Sequence, residues 1–293
     1  MKIKTEIIND IETFDNMFHS FLYSNITVNQ LVIQNVNIYL NKKKQGFLLN
    51  ENNFFGYVKK GEKKLILFLN AYPYKLQIIP FTPLTKEELT EAINSLLEYV
   101  KVSNKVVLGI NADEDVSSIF IDSVAEVLKK KAYIKIKMSI MKIGKIALEK
   151  YKAGYLRKAE NTDKMLIAES LSCFEKDCYG TSVPKEKFFS LAENKIAEGN
   201  TYLFLNQENE VTSMASLSRK INDEIAIAFV YTIPKYRNQG YASSMVAKIV
   251  DKCFKSGFRY CSLFVDQNNP YSNKAYLKVG FEYVATNYEV VID

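Results

Sequence analysis

A glycine-bearing hexapeptide, Arg-Asn-Gln-Gly-Tyr-Ala at residues 237–242, lies between a predicted strand and a predicted helix. The apolar run Ile225–Ile233 is followed by a proline and predicts a buried strand. Between Ala242 and Phe254 the apolar residues recur at helical spacing, and Gly257 follows where a helix-ending glycine is expected. The unpaired N–H groups at the start of such a helix attract anions, and Gly240 lets a ligand approach the main chain closely. This arrangement predicts a binding site for a diphosphate.

A second motif follows the first after a short gap. Residues Tyr260–Asp266 predict another strand, and Asn269–Asn273 has the composition of a turn that leads into a helix, with Ser272 as the candidate N-cap. This short helix is predicted to end at Gly280, and Phe281 opens a further strand. Short glycine motifs recur by chance, so the functional indication depends on both motifs occurring together.

The two motifs, V-Y-T-x-P-x-Y-R-x-x-G-Y-A-S and N-P-x-S-N-x-x-Y-x-K-x-G-F, together resemble the GNAT superfamily of acetyl-CoA-dependent acyltransferases. The resemblance is greatest to a bacterial subgroup of two-part chains with the catalytic half at the C-terminus, and it covers residues 152–293. It implies an α/β (α+β) fold in which helices flank a mixed central sheet. It also implies N-acetyl transfer from acetyl-CoA to an amine of a small molecule or peptide, by direct attack in a ternary complex without a metal ion.

The same resemblance places three stretches of the chain on the cofactor. They are Val230, Tyr231 and Thr232 on the strand; Arg237, Asn238, Gln239, Gly240, Tyr241, Ala242 and Ser243 in the turn; and Asn269, Ser272 and Asn273 in the second motif. The strand backbone is expected to pair with the pantetheine arm as a neighbouring strand would, and the turn amides are expected to face the diphosphate. For Arg237, a salt bridge within the fold is an open alternative.

Two residues are candidates for proton transfer in the implied reaction. Tyr276 matches the family tyrosine, and a phenol of pKa ~10 can donate a proton to a departing thiolate. Many relatives carry a glutamate as base where this chain has Ala226, so Glu224 is the nearest substitute. Three alternatives stay open, which are a surface role for Glu224, a base acting through a water chain, and an acceptor that arrives deprotonated.

Composition excludes several other classes of function. The single histidine, His19, lies far from both motifs, and the four cysteines lack metal-ligand spacing, which leaves little material for Ser–His, Cys–His or metal chemistry. The net charge of +6 suits a polyanionic cofactor or a nucleic acid, but no basic block with interleaved aromatic residues indicates nucleic-acid binding. No run approaches the ~18 apolar residues of a membrane span, and the N-terminal segment lacks the apolar core of a signal peptide. We therefore expect a cytoplasmic protein, as a monomer or homodimer, that binds neither nucleic acid nor membrane.

The chain is predicted to form two tandem halves, at residues 1–145 and 152–293, joined by a helical turn at 146–152. The first half is predicted to be a degenerate GNAT-like domain, because its equivalent of the phosphate turn, placed at 70–73, has neither glycine nor arginine. Whether it shapes a substrate cleft or is scaffolding stays open. Its predicted elements are a helix at 5–23, strands at 31–40, 46–58 and 64–70 separated by lysine-rich hairpin turns at 41–45 and 59–64, a helix opened by a capping box from Thr85 to Glu88, a strand at 106–110, a helix at 116–128 and a strand at 132–143.

Two other functions compete with acetyl transfer. One is transfer of longer acyl groups, or transfer to glycine-like acceptors, since selectivity depends on pocket volume. The other is a coenzyme A-binding sensor without turnover, which the missing glutamate favours and the intact Tyr276 disfavours.

Overall fold

The computed structural model describes residues 2–147 and 149–293. They fall into two compact units: the first runs to Ser139 and takes in Ala285–Asp293, and the second comprises Ile140–Val284. Among the helices that the structure describes, none is long and apolar enough to span a membrane.

One order of elements occurs twice along the chain. The first set is β1 (Ile3–Ile7), α1 (Ile11–Tyr23), α2 (Ile26–Lys44), β2 (Phe54–Lys60), β3 (Lys63–Asn70), β4 (Leu76–Pro80), α3 (Lys86–Val102), β5 (Gly109–Ala112), α4 (Glu114–Ser123) and β6 (Ala132–Ile143). The second set is β7 (Tyr155–Lys158), α5 (Lys164–Tyr179), α6 (Phe189–Ala197), β8 (Thr201–Leu205), β9 (Val211–Ile221), β10 (Glu224–Thr232), α7 (Tyr241–Lys255), β11 (Tyr260–Asp266), α8 (Pro270–Val279) and β12 (Glu282–Ile292). The predicted mixed α/β fold in two tandem halves is confirmed.

The first unit packs its helices against a mixed sheet. Strands β1 to β4 are joined by antiparallel pairing, and β4 runs parallel to β5. The predicted capping box is present, because the Thr85 hydroxyl accepts from the Glu88 amide while the Glu88 carboxylate accepts from the Thr85 amide. From there α3 buries an apolar stripe that includes Ile93 and Leu97 against this sheet.

The second unit has helices on both faces of its sheet. Strands β7 to β10 pair antiparallel in chain order, and β10 runs parallel to β11. Helix α7 buries the face carrying Val246 and Val250 in one core, as its sequence spacing predicts. Helices α5 and α6 form a second core with β8 and β9 through residues such as Leu171, Leu203 and Met214. Successive residues of these strands therefore point alternately towards α7 and towards α5 and α6.

The last strand of each set is divided between the two units. Residues Tyr288–Val291 of β12 pair antiparallel with β5, and Val290 is buried in the first unit's core. Conversely, Met141 and Ile143 at the end of β6 are buried in the second unit's core. The first unit is therefore discontinuous in sequence, whereas the second unit, Ile140–Val284, is a single segment.

The structure corrects several predictions near the N-terminus. The helix predicted from residue 5 begins at Ile11 after the Asp10 cap, and residues 3–7 form β1, which pairs with β2. The strand predicted at 31–40 is part of helix α2, because its buried residues follow helical spacing and Asn25 caps the helix. Its β-branched composition had favoured a strand.

Of the two lysine-rich segments that were predicted to be hairpin turns, one is a hairpin turn and the other is not. Lysines in 41–45 end helix α2 and form no hairpin, and positive charge there complements the helix macrodipole. The hairpin predicted at 59–64 is confirmed between β2 and β3, with Gly61 at φ +61° in the turn. Strands at 64–70 and 132–143 are confirmed within a residue.

The remaining corrections concern element ends and the connection between the halves. The strand predicted at 46–58 is β2, which starts at Phe54, and the strand predicted at 106–110 is β5, which starts at Gly109. The helix predicted at 116–128 is α4, and a π-helical turn at Val124–Leu128 follows it. Strand β4 was not predicted from the sequence. The predicted linking turn is not helical at 146, 147 or 149–152, and Leu148 lies outside the described residues.

Candidate active site

The N-terminus of helix α7 lacks the side-chain cap that most helices of this chain carry. Within the described residues, side-chain oxygens cap five other helices, while α5 and α6 also lack such a cap; the capping residues are Asp10, Asn25, Thr85, Asp113 and Asn269. At α7 the cap residue is Gly240, and no side chain of the described residues accepts from its first turn. The first intrahelical bond there runs from the Ser244 amide to the Gly240 carbonyl, at 3.1 Å. The amides of residues 241–243 are thus directed at a position where an anion would be bound.

Gly240 adopts a conformation that glycine favours. Its φ is +87°, and Asn238 in the same turn has φ +59°. A Cβ built on Gly240 would find Lys152 Cγ as its nearest neighbour, at 4.0 Å. The protein alone therefore leaves room for a side chain at position 240. A ligand lying on the amides would occupy that room.

Arg237 holds this turn against the rest of the unit. Its Nη2 donates to Asp177 Oδ2 at 2.6 Å, and its Nε donates to the Thr232 carbonyl at 3.0 Å. The guanidinium also lies 5.3 Å from the ring centroid of Tyr231. The salt bridge within the fold is therefore present, and a contact of Arg237 with the cofactor stays a prediction. Gln239 likewise bonds within the turn, from its Nε2 to the Lys235 carbonyl at 2.9 Å.

Strand β10 separates from β11 before it reaches the turn. Their parallel pairing joins Glu224–Ala226 to Tyr260–Ser262. A bulge follows between Ala228 and Tyr231, with Phe229 at φ +53°. Beyond the bulge β10 continues to pair with β9 on its other edge. The backbone edge of residues 230–232 that would face β11 has no strand partner among the described residues, so an extended ligand can pair there.

The second motif is held together by its own side chains. Asn269 Oδ1 accepts from the Ser272 amide at 3.0 Å, so Asn269 is the N-cap of α8 and the prediction of Ser272 was wrong. Asn273 is buried, donates to the carbonyls of Asp266 and Asn269, and accepts from the Tyr283 hydroxyl at 2.8 Å. Contacts of Asn269, Ser272 and Asn273 with a cofactor remain predictions.

Tyr276 lies on α8, beside the start of α7. The Ser243 hydroxyl in the first turn of α7 donates to the Ala275 carbonyl at 3.4 Å, which links the two helices next to Tyr276. The Tyr276 side chain is 6 % exposed, and its ring centroid lies 6.0 Å from that of Phe281. Burial raises the pKa of Tyr276, and hydrogen bonding with Ser272 opposes that rise. The phenol therefore keeps its proton around neutral pH and can act as a donor.

Glu224 is held in an ion pair away from the turn. Its Oε1 accepts from Lys142 Nζ at 2.6 Å, and the Glu224 side chain is 9 % exposed. Lys142 in turn lies 3.8 Å from the ring centroid of Tyr260. At about 3.3 Å per residue, Glu224 is roughly 20 Å along the strand from Tyr231. Lys142 lies 82 residues away in sequence, so this partner gives no local signal.

Glu224→Gln separates the predicted base role from this ion-pair role. The ion pair leads us to expect a loss of stability of about 1–3 kcal/mol, because the substitution leaves the Lys142 ammonium without its carboxylate. We expect acyl transfer to change by less than about threefold, because the carboxylate is remote from the turn. Urea unfolding and steady-state transfer measure the two effects. Loss of turnover at unchanged stability would identify Glu224 as the base.

The first unit carries the corresponding helix without an open anion position. In the repeated order α3 corresponds to α7, so the segment equivalent to the phosphate turn lies between β4 and α3, and the predicted position at 70–73 was wrong. There the Thr85 hydroxyl accepts from the Glu88 amide at 3.1 Å, and Glu87 and Glu88 add negative charge to the first turn. The chain's own oxygens thus take the place that an anion would need.

Metal ligands are not grouped in this site. Within residues 2–147 and 149–293, no cluster of three or more His, Cys, Asp or Glu side chains is placed to hold a metal ion. Cys253 and Cys261 are buried thiols in the core beneath α7.

Comparison with known proteins gives a match to one family in sequence and matches to several solved structures in fold. A sequence profile of the acetyltransferase (GNAT) family matches residues 168–281. A GNAT-family acetyltransferase from Colwellia psychrerythraea matches with a TM-score of 0.57 and 12 % identity, over 99 % of each chain. A Drosophila protein matches with a TM-score of 0.63 and 10 % identity, over 100 % of this chain and 99 % of its own. A GCN5-related N-acetyltransferase from Sphaerobacter thermophilus matches with a TM-score of 0.56 and 12 % identity, over 87 % of this chain and 84 % of its own. No curated protein sequence matches the chain.

Proposed function

Because residues 168–281 form a domain of the GNAT acetyltransferase family, we propose that the protein transfers an acetyl group from acetyl-CoA to an amine. The observation that carries this proposal is the uncapped start of α7 next to the unpaired edge of β10. One feature provides donors for a diphosphate and the other provides a backbone edge for an amide-bearing arm. Coenzyme A joins these two groups in one molecule.

Two features of the site are suited to the two parts of coenzyme A. The open space above Gly240 allows the diphosphate to lie on the amides of 241–243. Residues 230–232 are positioned to pair with the pantetheine arm, and a main-chain N–H there would stabilise the oxyanion that develops on the thioester. The bound thioester supplies an activated acyl group for direct attack by the amine.

The chain's own contribution to chemistry is positioning and proton transfer. Tyr276 is proposed to donate a proton to the departing sulfur, since its buried phenol stays protonated. The ion pair of Glu224 with Lys142 favours a base acting through a water chain, or no base at all if the amine arrives neutral, over Glu224 itself. The acceptor is proposed to be a small molecule or peptide, and the protein to act in a bacterial cytoplasm as a monomer or homodimer.

Two alternatives to acetyl transfer follow from specific features. Longer acyl groups or glycine-like acceptors would use the same donors, since nothing in the amide cradle depends on acyl length. A coenzyme A-binding sensor without turnover is favoured by Ala226 at the family's base position and by the Lys142–Glu224 ion pair. The first unit, with its self-capped α3, is proposed to bind no cofactor.

Coenzyme A is expected to raise the unfolding temperature of the protein. At 100 times its dissociation constant a ligand adds about 2.7 kcal/mol, which corresponds to a shift of about 4–5 °C for a chain of this size. Differential scanning fluorimetry would compare coenzyme A with pantetheine, which lacks the diphosphate. The absence of any shift with coenzyme A at low salt would contradict the proposal. A shift without thiol release from acetyl-CoA over a panel of amines would favour the sensor.

A further inference from the structure

Two cationic side chains of the second unit lie over one face of its sheet, opposite α7. Ala215, Leu217, Ile227, Leu263 and Val265 belong to the core formed with α7. By strand alternation Ser216 and Ser218 on β9, Ala226 on β10 and Phe264 on β11 point to the other face, on the side of α5 and α6. We call these four residues the acceptor-side patch. Lys195 and Arg219 both reach it.

Lys195 is a buried ammonium with only a weak polar contact. The residue is 9 % exposed, and its Nζ lies 3.4 Å from Ser216 Oγ and 3.9 Å from the ring centroid of Phe229. Within the part of the chain that the structure describes, no carboxylate lies within 4.0 Å of it. Burial lowers the pKa of Lys195, against an opposing effect of Glu198 one turn further along. A buried cation normally has an anionic partner, because its desolvation is otherwise uncompensated.

Arg219 brings a second cation to the same patch. Its φ of +36° interrupts the alternation of β9, and its guanidinium carbon lies 5.2 Å from the ring centroid of Phe264. Burial lowers the pKa of Arg219 to about 10. Beside it, Ser218 Oγ is buried and has no hydrogen-bond partner among the described residues. Lys195, Arg219 and the Ser218 hydroxyl thus lie on the same side of the sheet.

The patch adjoins the part of β10 that is proposed to hold the thioester. Phe229, in contact with Lys195, is the bulge residue that comes directly before residues 230–232. Ser216 pairs with Ala228 on the other side of the same bulge. A small molecule whose negative group binds at Lys195 would have its remaining atoms next to this bulge. The sequence signal was a lysine three residues after Ala192 on the buried side of α6, where an apolar residue is expected.

We propose that the acceptor carries an anionic group, a carboxylate or a phosphate, in addition to its amine, and that Lys195 and Arg219 bind that group. This assignment rests on the acyl-transfer function proposed above and names the substrate class of that site. A guanidinium and an ammonium together bind either anion through charge-assisted hydrogen bonds. The Ser218 hydroxyl adds a further donor.

Matched pairs of amines test the assignment. Glycine is compared with glycinamide, and phosphoethanolamine with ethanolamine, so that each pair differs in the anionic group. The anionic member of at least one pair is expected to be the better acceptor by kcat/KM, and the pair that shows the preference identifies carboxylate or phosphate. Lys195→Met is expected to lower kcat/KM for that member about 10- to 100-fold, because a hydrogen bond between charged groups is lost. Its effect on the neutral member is expected to stay within about threefold.

A stability readout distinguishes a binding role of Lys195 from a structural one. Lys195→Met removes an unpaired buried charge and keeps an unbranched apolar chain, so its unfolding temperature is expected to equal or exceed that of the parent protein. With coenzyme A present, inorganic phosphate or N-acetylglycine is expected to stabilise the parent protein and not Lys195→Met or Arg219→Gln. The exposed Lys187→Met serves as the matched control and is expected to behave as the parent in every assay.

Failure of this inference and failure of the proposed function give different results. If coenzyme A binds but neutral amines are used as well as anionic ones, or Lys195→Met impairs both alike, the anionic acceptor is overturned while acyl transfer stands. If coenzyme A binds, no amine reacts, and neither phosphate nor N-acetylglycine stabilises the parent protein, the inference is also overturned. If coenzyme A itself does not bind, the proposed function falls and the inference falls with it.

Discussion

Gly240→Leu is expected to lose coenzyme A affinity by at least about 100-fold, because each charge-assisted hydrogen bond to the diphosphate contributes about 1.5–3 kcal/mol. The leucine would meet nothing of the free protein at its Cβ closer than Lys152 Cγ at 4.0 Å, so the fold does not exclude it. It would instead occupy the space in front of the amides of 241–243. Isothermal titration calorimetry at low salt measures the loss, and Gly240→Ala should give a smaller loss in the same direction.

The backbone strain of this substitution has a matched control in the same helix. Gly257, just beyond the end of α7, has φ +93°, and nothing lies within 4 Å of a Cβ built there. A residue other than glycine in the left-handed region costs about 1–2 kcal/mol. Gly257→Leu should therefore show the same loss of stability as Gly240→Leu with unchanged affinity for coenzyme A. Equal affinities in all three proteins would refute the amide cradle.

Tyr276→Phe is expected to lower kcat at least about 100-fold while coenzyme A binds within about twofold of the parent affinity. The phenol oxygen is the proposed donor to the departing sulfur, and phenylalanine keeps the buried ring beside Phe281. Because burial raises the pKa of Tyr276 above its ordinary ~10, its deprotonation should leave no descending limb in the rate profile between pH 6 and about 9. Stopped-flow measurement of thiol release gives kcat and its pH dependence, and calorimetry gives the affinity for coenzyme A.

A second tyrosine of α8 provides the control for Tyr276. Tyr271 is 73 % exposed and lies on the same helix, so Tyr271→Phe should leave kcat unchanged. Unchanged turnover in Tyr276→Phe would remove Tyr276 from the mechanism. A loss of coenzyme A binding together with turnover would instead assign the residue a structural role.

The elements of the proposed site were predictable because their signals are local. The helical spacing after Ala242 and the glycine at 240 reside within one short segment, and the structure has α7 and its left-handed turn there. Local competition between caps was not resolved, since Asn269 and Ser272 are both good N-cap residues and geometry selects the first. Helix α2 was mistaken for a strand because its β-branched residues suit either structure until packing selects one.

Features that depend on distant residues were beyond sequence reasoning. The pairing of Lys142 with Glu224 joins positions 82 residues apart, and neither position carries a pattern that points to the other. The separation of β10 from β11 depends on a bulge at Phe229, a residue with no intrinsic preference for positive φ. The pairing of residues 288–291 with β5 likewise joins positions far apart in sequence, and no local pattern predicts it.

The position of Val290 in the first unit's core also has a consequence for biosynthesis. During translation the edge of β5 has no neighbour until residues 288–291 leave the ribosome, although the strand partners of β1 to β4 have already been made. Such an exposed edge is a template for wrong pairing with other nascent chains. Folding of the first unit is therefore coupled to the synthesis of residues 285–293.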